Sequence, residues 1–553
     1  MTLQDQIVSH LQSLTELTDE NLHDAQLAAQ VRGYLNLDKL IQISDRAALI
    51  LSQHAGPLSL SGIPCSLRNI ESLEELTDSD VRETLLLVAQ AKCGLNLPSV
   101  RRISDSVARV LGNLDSRYNL RLRLDAVSEL SDAAFCALTQ FRGELALNGL
   151  TSISSVQLEA LRRHRVGMET RLAGLHAKLA NRRVLTDCED DLRLLSAVTF
   201  DSSGIDLPSL EEISKRGAEI LFSYYGTLNI KQLKHLPEIA SDKLEGFEGD
   251  LYLNNLNHIS DSHLITLLKC TGTGAGHILY LNGLKSIPES ALPAIAQHKG
   301  QLSFNGLETL SLDSATAFGS SRWDFNTSRT ETLSPEYHPN SGEYSIYLNG
   351  IRKLSESTAT ALSKHQGSIS LTGLEEISES VAEALAQHGI NELGDYTLSL
   401  NLGAPILTPS AATNLAKYRG ESIRFGFCQI SEEIAAALSS YHGCFCFDEL
   451  TPLPASVALA LSKHEGDSIY FNALTSSSDF SDEAAWALSR YQGGLNLNRL
   501  TDISDEQAEA LSQHKGRTLS LLSLKSFSDR AAQMLSGKLN KTYDSLIAQR
   551  KRI

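Results

Sequence analysis

Histidines, cysteines and serine–aspartate pairs recur along this chain at spacings that invite a chemical reading. His54, His298, His365, His464 and His514 each stand two residues before a glycine, and a row of imidazoles could hold metal ions. The same place is Phe141, Tyr224, Tyr418, Tyr441 and Tyr491 elsewhere, and no metal role survives that exchange. The position reads as an aromatic packing residue at a helix C-terminus, where the partial negative charge suits histidine. Cys444 and Cys446 share one face of a strand, with Cys428 shortly before them. A structural zinc site wants four ligands in paired spacings, and none is evident, so these are free thiols. Ser44–Asp45, Ser104–Asp105, Ser260–Asp261 and Ser504–Asp505 each follow an isoleucine. They are helix starts: the hydroxyl accepts a bond from an orphan backbone N–H, and the acid suits the positive dipole end. The sequence holds no glycine-rich phosphate loop, nucleophile elbow or compact Ser/His/Asp set. A non-enzymatic protein with no catalytic residue, metal or cofactor is expected.

Recognition chemistry is the remaining possibility, and two rows of residues carry it. Tyr252, Tyr280, Tyr347 and Tyr470 alternate with apolar neighbours, and Asn254, Asn282, Asn305, Asn349 and Asn472 lie two residues beyond the corresponding row position. Alternation puts both rows on one exposed face of a sheet. Tyrosine gives large contact area at small entropy loss and asparagine both donates and accepts, which suits a protein interface. Tyrosine faces and amides also suit sugar rings and hydroxyls, so a carbohydrate-binding module is the alternative. A plain asparagine ladder, with each tyrosine packed on its cross-strand neighbour, explains the same rows equally well. Trp323, in a segment rich in Ser, Thr, Asn and Pro, is a further candidate contact.

These rows are positioned by a phrase of about 23 residues that repeats along the chain. Two copies are LYLNGLKSIPESALPAIAQHKG, from Leu279 to Gly300, and LNLNRLTDISDEQAEALSQHKG, from Leu495 to Gly516. The opening LxLxxL is a short half-buried strand. The serine cap follows, then AxALxxH with its apolar stripe at helical spacing, then glycine in the left-handed conformation that ends a helix. That glycine is Gly56, Gly143, Gly226, Gly300, Gly367, Gly420, Gly443, Gly466, Gly493 or Gly516. Strand candidates start at Leu35, Leu58, Leu95, Leu122, Leu145, Ile205, Leu228, Leu251, Leu279, Leu302, Ile346, Ile369, Leu398, Ile423, Phe445, Ile469, Leu495 and Leu519. At about 4.8 Å per strand they span roughly 80 Å. Strand–helix–strand crossovers are right-handed, so the units are predicted to stack in one sense.

The LxLxxL strand, the period and the strand-plus-helix unit resemble the leucine-rich repeat superfamily, in a bacterial-looking variant. The resemblance implies an α/β leucine-rich-repeat solenoid. Such a fold is a right-handed curved superhelix with a parallel β-sheet on the concave face and α-helices on the convex face. It also implies protein–protein interaction as the commonest role. One departure stands out. The sixth strand position, where the family places Asn or Cys, holds Leu150, Leu256, Leu284, Leu307 and Leu374, so the turn between repeats is expected to differ.

Composition sets the remaining bounds. A net charge of -17 disfavours the phosphate attraction that nucleic-acid binding requires. The opening MTLQDQIVSHLQSL carries acids and polar residues where a secretory leader has an apolar core, and no stretch approaches a membrane span. Eight scattered cysteines make no disulfide framework. A cytoplasmic protein without membrane or nucleic-acid partners is expected, with delivery by a dedicated secretion system, as a bacterial effector that binds a host protein, left open. Breaks in the phrase predict an N-terminal helical cap over 1–33, a first array over 34–165 and an irregular helical junction over 166–204. A second array over 205–530 with an insertion at 319–343, and a C-terminal helical cap over 531–553, complete the organisation.

Overall fold

The computed structural model describes residues 3–31, 35–37, 39–51, 58–59, 75–77, 95–113, 121–164, 170–200, 204–224, 226–238, 243–244, 247, 249–269, 278–298, 300–321, 346–388, 398–403, 405–536 and 538. They fall in two compact units, residues 1–247 and 248–553. In the first, Leu95–Asn96, Arg121–Arg123, Glu144–Ala146 and Thr170–Arg171 form a parallel sheet in chain order. Leu35–Asn36 pairs with Leu58–Ser59, and Ile205–Asp206 with Leu228–Asn229, also in parallel. In the second unit one parallel ladder begins with Leu251–Tyr252, Ile278–Tyr280, Gln301–Ser303, Ile346–Tyr347 and Ile369–Ser370. It continues through Ser399–Asn401, Ser422–Phe425, Cys444–Phe447, Ser468–Phe471, Gly494–Asn496 and Thr518–Ser520. A helix follows most of these strands and packs on the helix of the next repeat. The architecture is the α/β leucine-rich-repeat arrangement.

The pattern places the strands well, with two exceptions. Leu400, not Leu398, pairs with Ile369, so that repeat starts two residues later than its leucines suggest. Thr170–Arg171, within the segment expected to form an irregular junction, continues the ladder beside Leu145–Ala146. Thr170 is 2% exposed and fills the place of the first leucine, which hid the strand from a leucine pattern. The same segment contains the helices Ala173–Ala180 and Glu189–Val198. A second set of short parallel pairs lies just before the helices: Glu16–Leu17 with Gln42–Ile43, Glu75–Leu76 with Arg102–Ile103, Val184–Leu185 with Glu212–Ile213, and Glu376–Ile377 with Ile406–Leu407. The insertion around Trp323 and most of the expected C-terminal cap lie outside the described residues. Among the described residues no helix is long and apolar enough to cross a membrane.

Stacking supplies what a single repeat lacks. Leu251, Leu253 and Leu256, Leu302, Phe304 and Leu307, and Leu495, Leu497 and Leu500 are all buried, each contributing about 1.5–3 kcal/mol relative to exposure. The helices are short, as in Glu356–Leu362 and Asp505–Ser512, and isolated helices of under about 12 residues are marginal in water. The cap serine serves both its own helix and the previous one. Ser131 and Ser504 accept from the backbone N–H three residues on. Ser131 also donates to Asp105 (2.5 Å), Ser154 to Asp132 (2.6 Å) and Ser504 to Asp482 (3.2 Å); Ser290, inside a 3-10 turn whose cap position is Pro288, makes the same bond to Asp261 (2.5 Å). The acids Asp105, Asp132, Asp261 and Asp482 are thus hydrogen-bond acceptors for the following repeat as well as partners for their own helix dipoles.

The glycines that close the phrase have a different cause from the one expected. Gly226 has a positive φ of 148°, but Gly420, Gly443, Gly466, Gly493 and Gly516 are not in the left-handed region. They are glycines because neighbours occupy the Cβ position. A Cβ on Gly466 would lie 2.1 Å from the Gly443 carbonyl oxygen, and one on Gly516 2.2 Å from that of Gly493. Each close approach leads to the ring two residues earlier. Tyr441 donates its hydroxyl to the Gly420 carbonyl (2.7 Å) and Tyr491 to that of Gly466 (2.9 Å). His464 Nε2 lies 3.0 Å from the Gly443 carbonyl oxygen and His514 Nε2 3.2 Å from that of Gly493. Histidine and tyrosine interchange because each buries a ring that reaches the same carbonyl. The rings form a row, His365, His388, Tyr418, Tyr441, His464, Tyr491, His514, with successive centroids 5.8 to 6.5 Å apart. His54 lies outside the described residues.

Two stability predictions follow from this packing. Alanine at Gly350 would place a Cβ 2.2 Å from the Asn305 carbonyl oxygen and 2.4 Å from that of Leu307; Gly350→Ala should destabilise the second unit by about 1–3 kcal/mol in urea unfolding. Burial pushes the His464 imidazole down to about 4, with the Gly443 and Ser439 carbonyls and Asp467 opposing and His442 reinforcing the shift. Burial likewise takes His388 to about 4. An unfolded histidine binds its proton near pH 6.5, whereas the folded one stays neutral down to about pH 4. Stability from these groups is therefore complete above about pH 6.5 and lost as pH falls to about 4. The double variant His388→Tyr/His464→Tyr should flatten the pH dependence of the unfolding midpoint in that window.

Candidate functional site

The outward face of the second unit's ladder carries the tyrosine and asparagine rows. Register sets Tyr252 opposite Tyr280, Ser303 opposite Tyr280 and Tyr347, and Ser370 opposite Tyr347. Tyr470 lies farther along, between Cys446 and Asn496. Tyr252 and Tyr280 stack face to face, with centroids 4.5 Å apart and planes 14° apart. Adjacent parallel strands are about 4.8 Å apart, so two rings at one register position meet face to face without leaving their strands. Both are half-buried. Burial, then the neighbouring Tyr252, Tyr347 and Asp250, pushes the Tyr280 phenol up to about 12. Burial, then Cys444, Cys446 and Glu421, does the same to Tyr470. These phenols stay protonated and available as donors at neutral pH.

The asparagines bind the ladder together. Asn282 Nδ2 donates to Asn254 Oδ1 (3.2 Å), while Asn282 Oδ1 accepts from Ser303 Oγ (2.7 Å) and the Asn305 backbone N–H (3.0 Å). Asn305 Oδ1 accepts from the Asn349 N–H (2.9 Å), and Asn349 Oδ1 from Ser370 Oγ (2.7 Å) and the Thr372 N–H (3.1 Å). Asn472 Nδ2 donates to Asp448 Oδ1 (2.8 Å), and Asp448 also holds Arg424 Nη1 at 3.2 Å. The fourth strand position thus bonds the backbone of the following repeat, while the sixth, as at Leu284 and Leu307, is a buried leucine. Trp323 lies outside the described residues.

Register also exposes residues that the two-row pattern passed over. Asp250 stands one residue before the first leucine of its repeat, and its Oδ1 accepts from the Ile278 N–H at 3.1 Å. Ser303 interrupts the tyrosine row between Tyr280 and Tyr347 and is fully buried. The residue before the first leucine points outward for the same alternating reason as the second position, and that was the available signal.

The cysteines lie on the same ladder. Burial pushes the Cys446 thiol up to about 12 and the Cys444 thiol up to about 11, the wrong direction for thiolate metal ligands. Cys428 is exposed, and its hydrogen bond to Glu449 raises its thiol too. Among the described residues no group of three or more His, Cys, Asp or Glu could hold a metal ion.

No protein-family model matches the chain, and no curated protein matches it either. Solved structures that match the chain include two that cover most of it. A leucine-rich-repeat protein of Leptospira interrogans is 14% identical, with 82% of this chain and 99% of that chain covered, at a TM-score of 0.37. A chain of the mouse RP105/MD-1 complex is 12% identical, with 92% of this chain and 89% of that chain covered, at a TM-score of 0.38.

Proposed function

We propose that this protein is a non-enzymatic interaction scaffold that holds a protein partner on the sheet face of its second unit. Tyr252, Tyr280, Tyr347 and Tyr470 are the principal contacts in this account, with Trp323 as a further one. The observation that carries it is the stacked, half-buried Tyr252–Tyr280 pair on the outward face. Two large rings held in place by each other lose little further entropy on binding, and tyrosine is enriched where interfaces concentrate their binding energy. Asn254, Asn282, Asn305, Asn349 and Asn472 have a supporting part, because much of their hydrogen-bonding capacity already goes to the ladder. That commitment also weighs against a saccharide, whose hydroxyls would need those amides.

The test compares the native chain with the triple variant Tyr252→Ala/Tyr280→Ala/Tyr347→Ala in affinity recovery from the source cells, with circular dichroism as a check on folding. Losing a cluster of central aromatic anchors should weaken a specific partner by about a hundredfold or more. Equal recovery by the two chains contradicts the proposal. Saccharide binding on a glycan array, lost in the same variant, would favour the carbohydrate reading instead.

A further inference from the structure

The helices of the second unit carry a surface that the sheet face leaves unused. Glu432–Leu438, Ala455–Leu461, Asp482–Leu488 and Asp505–Ser512 pack side by side in chain order. Each follows a strand of the same parallel ladder, so the helices run in one direction and bring equivalent positions into rows. One such row lies two residues before the buried leucines Leu438, Leu461, Leu488 and Leu511, and it holds Ala436, Leu459, Trp486 and Glu509. Leu459 is 39% exposed and Trp486, one of the chain's two tryptophans, is 42% exposed. Two large apolar side chains side by side on the solvent side form a surface that gains free energy on being covered.

Charges frame this pair with opposite signs on its two edges. Glu432, Glu433, Asp482, Glu483, Asp505 and Glu506 lie in the first turns, whereas Lys463, Arg490 and Lys515 lie just past the last turns, all exposed. His442 is exposed on the basic edge as well, and Glu465 pairs with it at 3.6 Å. Helix dipoles favour that separation, but they do not account for the leucine and tryptophan between. A surface with acids along one edge, bases along the other and an apolar midline is complementary to itself after a half-turn, which is the requirement of a two-fold interface. With the axis between Ala455–Leu461 and Asp482–Leu488, Trp486 meets Leu459 of the second copy and Glu483 meets its Lys463. Glu432 and Glu433 then face its Lys515, Asp505 and Glu506 face its His442, and Arg490 meets the uncharged Ser456.

We propose that a second copy of this chain docks on this helix face, the two copies related by a half-turn with Trp486 of each against Leu459 of the other. The sheet face stays open in such a pair, so this inference and the sheet-face proposal stand or fall separately. A contact built on two apolar anchors and charged edges belongs with the smaller, weaker interfaces. Sedimentation velocity of the full chain over about 1–200 µM should therefore show monomer giving way to dimer. Leu459→Ser/Trp486→Ser, which trims exposed side chains only, should weaken the association by about tenfold or more. Glu483→Lys should weaken it too, and Glu483→Lys/Lys463→Glu should restore it, because the swap re-forms both symmetric contacts. Far-UV circular dichroism checks that each variant keeps its fold. A sedimentation coefficient independent of concentration, an association untouched by the serine variant, a charge swap that fails to restore it, or assemblies that grow beyond a dimer overturns the arrangement.

Discussion

Each repeat of this chain is too small to bury its own apolar face, so the structure depends on adjacent strands meeting at one spacing and in one register. The described polar side chains that matter to the fold serve that contact. Asn305 and Asn349 accept backbone N–H groups of the following repeat, Ser154 and Ser290 reach back to the acids of the preceding caps, and Tyr441 and His464 reach back to a preceding carbonyl. Glycines such as Gly466 and Gly350 stand where a Cβ would collide with the neighbouring backbone. The apolar core supplies most of the favourable free energy. The polar bonds fix which residue lies opposite which.

Register in turn produces the candidate site. A pitch of about 4.8 Å lets equivalent side chains on adjacent strands stack, as Tyr252 and Tyr280 do, and a small residue at one step interrupts the row, as the fully buried Ser303 does. The face that offers a recognition surface is therefore shaped by the periodicity that stabilises the fold. A one-residue slip would send the tyrosines inward and the leucines outward, so stability and recognition are coupled through register.

Much of this was legible in the sequence, because the leucine alternation and the Ile–Ser–acid caps are local signals. Thr170 escaped because a buried threonine breaks a leucine pattern, and Leu400 because Leu398 offered an equally good start. In the sequence the acids after the caps show only as dipole partners, since their bonds to the next repeat span 22 to 29 residues. The helix-ending glycines look in the sequence like left-handed residues, whereas at Gly466 and Gly516 the reason is contact with the preceding repeat. Asn282 and Ser303 illustrate the same limit at the site: composition identified a polar face, but only pairing showed which polar groups were committed and where the tyrosine row was interrupted.

The central claim is a division of labour on one face, asparagines for the ladder and tyrosines for recognition. Its most direct test measures urea unfolding and partner affinity side by side for Asn305→Ala/Asn349→Ala and for Tyr280→Ala/Tyr347→Ala. Removing Asn305 leaves the half-buried Asn349 N–H without its acceptor, and removing Asn349 does the same to the buried Ser370 hydroxyl, so the first pair should lose about 2–5 kcal/mol of stability while keeping partner affinity under folding conditions. The second pair should lose affinity by far the larger factor. If the asparagine pair abolishes binding with stability intact, or the tyrosine pair leaves binding unchanged, the division is contradicted.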